Sequence, residues 1–465
     1  MKKLTILLAC CLALVLYIYV EAPTKITPKN ETKTISLNFV GDILAARTIE
    51  TAMRKNGYDY PFAKISKELA DADITFANLE TPLIAGNTTP GGNTVFRADT
   101  AFADALKRTG IDIVSLANNH MKDQGEKGIV STKEALDKAG VVYAGAGLSL
   151  DEARSLRIVE ANGIKVGYLA YNDTDVVPQS TYANDSPQSG TNTMDTRRLK
   201  EDIEKARSQV NVVIISMHSG TEYVTEKPNT RQTTFARAAI DYGADMVIGH
   251  HPHVLQPMEI YKNKYIFYSL GNFVFDQIIA PTKESALLKM WITFSKTDSG
   301  VWKIDNAKPE ILPLVIQNFQ PQKTTDISKK KLIMSRFNSS PAILTLGEEI
   351  IFAELATTTE ARTLGLSGRK KLPDRTGLLF VFEAQGMHGI WMKDMLFPID
   401  IYWFDQSFKL IDKRLSVSPE TYPDVFYPKL KATYVLETKA GLLDPMSLTQ
   451  DLTGELTLLE SYDKR

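Results

Sequence analysis

The sequence predicts an α/β domain whose strands end in metal-ligand residue types, followed by a smaller, β-rich α+β domain. Three observations predict this. Apolar, strand-like runs alternate with helical stretches from residue 35 to about residue 275, as in a sheet covered on both faces. Each run stops at a cluster of Asp, Asn, Glu or His. A polar, basic break over residues 321–342 is followed by a fresh set of strand-like runs.

At 465 residues the chain is long enough for two or three domains of roughly 150 residues each. Its 54 lysines and arginines nearly cancel its 55 aspartates and glutamates, so it is not expected to bind nucleic acid. A polyanionic substrate stays open, because a bound metal supplies charge that composition does not count.

Met1-Lys2-Lys3 precedes an apolar run from Leu4 to Val20, broken only by Thr5. That run reaches the lower end of the roughly 17–25 residues of a membrane helix and exceeds the roughly 7–15 of a signal-peptide core. Residues 1–22 therefore read as a signal anchor forming a single-pass transmembrane helix, with residues 23–34 as a tether and the bulk of the chain outside the cytoplasm. Cleavage after Ala22, which would release a secreted protein, and lipidation at Cys10 stay open as alternatives. Cys10 and Cys11 are the only cysteines, so the exported part folds without disulfides and any metal site in it uses oxygen and nitrogen ligands.

The predicted strand at residues 34–40 runs into Gly41-Asp42, the one at 73–77 into Asn78-Leu79-Glu80, and the one at 110–116 into Asn118-Asn119-His120, with Asp123 just beyond. Helical stretches at residues 101–108 and 131–139 separate and follow them. Residues 164–170 form the next strand, ending before Asn172-Asp173, and the polar residues 176–193 read as an exposed loop near the site. Helices at 195–208 and 231–242 bracket a strand that ends at His218. Three of the six histidines then fall in Gly249-His250-His251-Pro252-His253, directly after the apolar residues 246–248. Side chains alternate along an extended strand, so His250 points away from His251 and takes a supporting or packing role. The strand at 265–270 ends in Gly271-Asn272. In open α/β sheets, sites form outside the carboxyl ends of the strands, where all of these clusters lie.

Taken together, Gly41-Asp42, Asn78-Leu79-Glu80, Ala117-Asn118-Asn119-His120, His218, Gly249-His250-His251-Pro252-His253 and Ser269-Leu270-Gly271-Asn272-Phe273 resemble the CapA-type poly-γ-glutamate capsule biosynthesis proteins. That family is related to the calcineurin-like metallophosphoesterases, and the resemblance covers about residues 35–320. It implies a four-layer, metallophosphoesterase-like α/β sandwich with a site for two divalent ions. The expected ligands are Asp42, Glu80, Asn119, His218, His251 and His253. His120 would act beside them as a general acid or oxyanion-stabilising group oriented by Asp123, and Asn78, Asn118, His250 and Asn272 would support the ligands. Mixed nitrogen and oxygen ligation suits Mn, Fe or Zn. Two departures leave the metals' number and identity open: Leu44 stands where the wider family's opening motif has a histidine, and Glu80 stands where a bridging aspartate is usual.

The implied function is capsule or envelope polymer biosynthesis by a membrane-anchored, metal-dependent hydrolase or transferase. Its partners would be an anionic cell-surface polymer or the synthesis and export machinery. The alternatives are a non-catalytic polymer-binding or export accessory, and a phosphoesterase acting on an envelope intermediate.

Residues 321–342 read as an interdomain linker with a short helix over 327–337, and residues 343–465 as a small second domain. The latter resembles a widespread domain of unknown function marked by Trp-Met-Lys-Asn, here Trp391-Met392-Lys393-Asp394. Trp391, Lys393, Asp394 and Asp400 are the candidate lining of a pocket there, and the isolated His388 reads as structural.

Overall fold

The computed structural model describes residues 31–458 apart from 88, 90–92, 177–180, 184–187, 298, 338–341, 347–348, 373–374 and 444–451. The apolar segment expected to anchor the chain lies outside the described residues. Among the described residues, no helix is long and apolar enough to cross a membrane.

The first domain is a four-layer α/β sandwich built on two sheets. In the first sheet the parallel strands Thr32–Ile43, Ile74–Leu79, Ile113–Ser115 and Val142–Ala144 lie side by side. The long antiparallel strands Glu284–Lys296 and Trp302–Gln317 extend it on the far side of Thr32–Ile43. In the second sheet, Ile164–Asn172, Val212–His218, Met246–His250 and Lys264–Leu270 run parallel, with an antiparallel strand at each edge.

The alternation of strands and helices does not reveal how many sheets the strands form, and here they form two. Each sheet is covered by helices on its outer face and packs against the other sheet on its inner face. Phe39, Phe76 and Ile113 of the first sheet meet Tyr168, Ile214 and Phe267 of the second in one buried cluster, where the rings of Phe76 and Tyr168 stack at 5.6 Å. On the outer face of the first sheet, Ile49, Met53, Phe102, Leu106, Ile129 and Leu136 of the helices are buried. Leu199, Ile203, Phe235 and Ala239 cover Val213, Ile215 and Val247 of the second. Stripes of this kind recur at helical spacing, which is why the helices Thr196–Arg207 and Thr230–Asp241 form where the sequence places them. Both begin at side-chain caps, Asp195 and Asn229, which accept hydrogen bonds from otherwise orphaned backbone N–H groups.

Two expectations need correction. The polar stretch 176–193 is not an exposed loop where it is described: Thr191 and Asn192 are fully buried, and Gly190–Thr191 pairs with Ala146–Gly147. The segment read as a linker is packed. Gln320–Lys323 is a strand of the first sheet, and the helix Ile327–Arg336 delivers Ile333 and Phe337 into the cluster between the sheets. The lysine run at 329–331 masks that apolar face in the sequence.

The second domain is a seven-stranded mixed sheet, with Thr376–Gly386, Ala432–Lys439 and Ile399–Phe404 at its centre. Met334 of the helix Ile327–Arg336 packs against its Ile350 and Phe352.

Candidate metal centre

Strand register brings the site together. Asp42 pairs with Asn78 on one side and Asn272 on the other in the first sheet. His218 pairs with Asn172 and His250 in the second. Close backbone approaches at these ends require glycine: a Cβ on Gly41 would lie 1.9 Å from the Gly271 carbonyl oxygen, where the chain passes from the second sheet into the first, and one on Gly249 would lie 2.0 Å from that of Tyr268 on the neighbouring strand of its own sheet. Beyond Gly249 the chain turns sharply. His251 and His253 hold φ of 95° and 58°, a left-handed conformation that a non-glycine residue keeps only when its surroundings fix it.

Asp42 and Glu80 are fully buried. Asp42 Oδ1 accepts from Asn78 Nδ2 at 2.9 Å, and Oδ2 from the His251 backbone N–H at 3.2 Å. His250 Nδ1 lies 3.2 Å from Asp42 Oδ1, within ion-pair reach but without the alignment of a hydrogen bond. Glu80 differs: neither carboxylate oxygen has a hydrogen-bond partner. Its Oε1 instead faces the Nε2 atoms of His120, His218 and His253 at 3.9, 4.0 and 3.9 Å. Those separations are too long for hydrogen bonds. For His218 and His253, each of which falls in a donor group with Glu80, they suit atoms sharing an ion, since two ligands each about 2.1 Å from one metal lie at most about 4.2 Å apart. A buried carboxylate with no partner is costly unless something cationic occupies the gap.

The donor atoms fall into overlapping groups, within 4.8 Å of one another in each: Asp42, Glu80 and His253; Glu80, His218 and His251; and Glu222, His251 and His253. Glu80 belongs to the first two and sits between them. Asn119 Oδ1 lies 2.8 Å from His218 Nε2. Behind these groups, Asn272 Oδ1 is 3.0 Å from His253 Nδ1, and Asn118 Nδ2 donates to Asn78 Oδ1 at 3.2 Å. His250 is fully buried against Phe76 and stands behind Asp42, itself belonging to none of the donor groups.

The electrostatics match the chemistry of neutral imidazole donors. Burial pushes His218 well below its ordinary value, and the neighbouring imidazoles add to this. Burial, then His253, pushes His251 down to about 4. Burial also lowers His253, against the opposing effect of Asp42. Glu80 is raised well above the usual carboxylate range by burial and then by the charge of Asp42. In Asp42 burial opposes ionisation, but His250, His253 and Asn78 outweigh it and hold the carboxyl low.

His120 stands at the rim. Its Nδ1 is 2.8 Å from Asp123 Oδ2 and its ring stacks on Phe96 at 3.9 Å. Two rim residues escaped the sequence reading. Glu222 is exposed in the loop after His218, and its proximity to a histidine strand end was the one available signal. Arg47, held at φ 58°, lies over Phe96 at 4.8 Å and Phe275 at 5.9 Å and pairs with Asp276, a partner 229 positions away that no local pattern reveals.

The second-domain candidates do not converge. Asp400 is buried on its strand, accepting from the backbone N–H groups of Ser416 and Gly441 and from the Tyr402 hydroxyl. Lys393 and Asp394 are exposed on a turn, and Trp391 borders a cavity. His388 stacks on Phe382 at 3.5 Å, with Nε2 3.0 Å from the Ala384 carbonyl oxygen.

Comparison with known proteins places both halves. The chain is 33% identical to the capsule biosynthesis protein CapA of Bacillus anthracis over 320 residues, 67% of this chain and 74% of that protein. It is also 33% identical to the PGA biosynthesis protein CapA of Bacillus subtilis over 269 residues, 57% of this chain and 70% of that one. Among solved structures it is similar to the calcineurin-like phosphoesterase YfkN of Bacillus subtilis, at 16% identity over 66% of this chain and 98% of that one. The TM-score of 0.40 is too low for that likeness to carry an argument. Residues 342–453 match the uncharacterized family DUF192. Residues 36–277 match the bacterial capsule synthesis protein family PGA_cap, and with the identity to the two CapA proteins this makes the chain a member of that family.

Proposed function

We propose that the protein is a membrane-anchored, extracytoplasmic hydrolase or transferase of capsule or envelope polymer biosynthesis, dependent on two divalent ions and acting on an anionic, poly-γ-glutamate-like chain. The observation that carries this reading is Glu80: a fully buried carboxylate without a partner, flanked by imidazoles, in a member of the capsule synthesis family. Asp42, Glu80 and His253 would hold one ion, and Glu80, Asn119, His218 and His251 the other. Ions so held polarise an oxyanion-bearing substrate and lower the pKa of water.

The chain's own groups do the rest. Asp123 accepts from His120 Nδ1–H, which directs Nε2 of the same ring towards the site; a proton held there reaches the leaving atom, and Asp123 stabilises the imidazolium. Phe96 covers the outer face of that ring and limits its access to water. Arg47, fixed between Phe96 and Phe275 and paired with Asp276, sets a guanidinium at the rim. The apolar segment from Leu4 to Val20 would keep the domain at the membrane.

A second reading, a non-catalytic polymer-binding or export accessory, is favoured by one feature: Leu44, at the opening motif's histidine position, is a buried core residue and offers no ligand. The discriminating experiment is elemental analysis of protein purified without chelator, beside His251→Ala. About two equivalents of Mn, Fe or Zn, lost in the variant, together with cleavage of γ-glutamyl oligomers, support the enzyme. No metal in either protein, even after adding excess, refutes it in favour of the accessory. Turnover of simple phosphoesters but not of γ-glutamyl oligomers would instead favour the phosphoesterase.

A further inference from the structure

The second domain holds a buried acid that the metal centre does not use. Glu437 lies on the central strand Ala432–Lys439 and is 4% exposed. Its neighbour two residues earlier, Val435, belongs to the domain's apolar cluster and lies on the same face of the sheet. Glu437 Oε2 has no hydrogen-bond partner, and among the described residues no cation pairs with the carboxylate. The nearby cations are engaged elsewhere. Arg369 binds Glu354 through two bonds of 2.6 and 2.9 Å, and Arg362, which lines the same slot as Glu437, donates to the Thr357 and Val381 carbonyls while lying over the Phe382 ring.

The carboxylate borders a slot of about 40 Å³. A cavity needs roughly 10–15 Å³ to hold one water, so this one admits a small polar head with a short stem behind it. Its walls are unlike its floor: Phe380 and Met395 are buried, while Trp391 at 44% and Leu364 at 63% exposure form an apolar rim. An acid floor, an indole and an aliphatic rim match one chemical class, a cationic head on an alkyl stem. The indole already has an ammonium nearby, with Lys393 Nζ 6.0 Å from its centroid.

We propose that this slot is a binding site for a primary alkylammonium group, with the Glu437 carboxylate accepting from the ammonium and Trp391 and Leu364 lying along the alkyl stem. The group is either a small free amine or the side chain of a lysine presented by another molecule. The inference stands apart from the metal centre and from the reaction assigned to it.

Burial pushes the Glu437 carboxyl up to about 8, with Arg369 opposing. The carboxyl is therefore mostly protonated at neutral pH, and an ammonium that enters the slot drives that proton off.

The test is calorimetric titration of the full-length protein with n-butylammonium and with its uncharged analogue butan-1-ol. The expected result is one site of millimolar affinity for the amine, at least tenfold weaker binding of the alcohol, and release of up to about one proton, read from the dependence of the heat on buffer. Glu437→Gln, nearly isosteric, should weaken amine binding at least tenfold, and Trp391→Ala should weaken it less. Equal affinity for amine and alcohol, no proton release, unchanged binding in Glu437→Gln or no binding at all would each overturn the proposal. The alcohol comparison and the proton count need no variant, so a misfolded Glu437→Gln leaves the test intact. N-acetyl-lysine methylamide separates the sources: binding as tight as the amine assigns the slot to a lysine side chain, and failure to bind while the amine binds assigns it to a free amine.

Discussion

Glu437→Gln should make the second domain more stable, by an amount that depends on pH. The folded carboxyl titrates at about 8 against an ordinary 4.5, because burial penalises its charged form. Below the ordinary value both folded and unfolded chains are protonated, and the substitution gains nothing from charge. As pH rises from there, the unfolded chain ionises while the folded one stays protonated, so folding is progressively disfavoured. Above the folded value both are ionised and the full penalty is present. At about 1.36 kcal/mol per pH unit, the wild-type domain loses about 3 kcal/mol by pH 7 and about 5 kcal/mol above pH 8. Glutamine cannot ionise and recovers that loss. Pulse-labelling hydrogen exchange at increasing urea, read on peptides covering Thr376–Gly386 and Ala432–Lys439, isolates this sheet from the rest of the chain. A urea slope of about 1–3 kcal/mol per molar places the midpoint of the variant roughly 1–3 M above wild type at pH 7, with no difference near pH 4.5. Equal midpoints at both pH values, or a variant less stable at pH 7, would refute the idea that an unpaired carboxylate lies in that slot.

Two further outcomes follow from the first domain. Gly249→Ala puts a methyl group 2.0 Å from the Tyr268 carbonyl oxygen, so the strands must separate; a loss of at least about 3 kcal/mol is expected in thermal melts followed by circular dichroism, together with weakened metal retention. His251 stays neutral in the folded protein down to about 4, whereas an exposed histidine protonates near 6.5, so metal-free protein should lose stability as pH falls through that window. His251→Ala should flatten this acid limb, and an unchanged limb would show that the ring is not held neutral by its surroundings.

The sequence makes the site more legible than the architecture around it. Asp42, Glu80, Asn119, His218, His251 and His253 could be picked out because strand ends concentrate chemistry, and register then sets Asp42 beside Asn78 and Asn272. Periodicity says which face of a strand is buried, not what covers it, so two sheets of one sandwich look like a single sheet. Polarity misled in two places: residues 176–193 supply buried Thr191 and Asn192, and the lysines of 329–331 conceal the inward Ile333 and Phe337. In the second domain the conspicuous Trp-Met-Lys-Asp motif drew the reading to Lys393 and Asp394, which are exposed. Glu437 sits in a strand where a lone charge looks like a solvent-facing residue, and only the sheet order places it inside.

The position of the strand Thr32–Ile43 bears on how the chain can be made. It is an interior strand: Ile74–Leu79 lies on one side and Glu284–Lys296 on the other, the latter in a register that sets Thr32 against Ser295 and Phe39 against Leu288. A chain emerging from its amino end therefore presents one side of this strand unpaired until Asn272 reaches Asp42, 230 positions later, and Leu288 reaches Phe39, 249 positions later. During that interval Ile35, Leu37 and Phe39 flank an open backbone edge, the arrangement most prone to pairing with another copy. Synthesis faster than the arrival of a helper that shields this edge should direct the chain into aggregates, and truncations ending before residue 284 should be insoluble while retaining every proposed ligand.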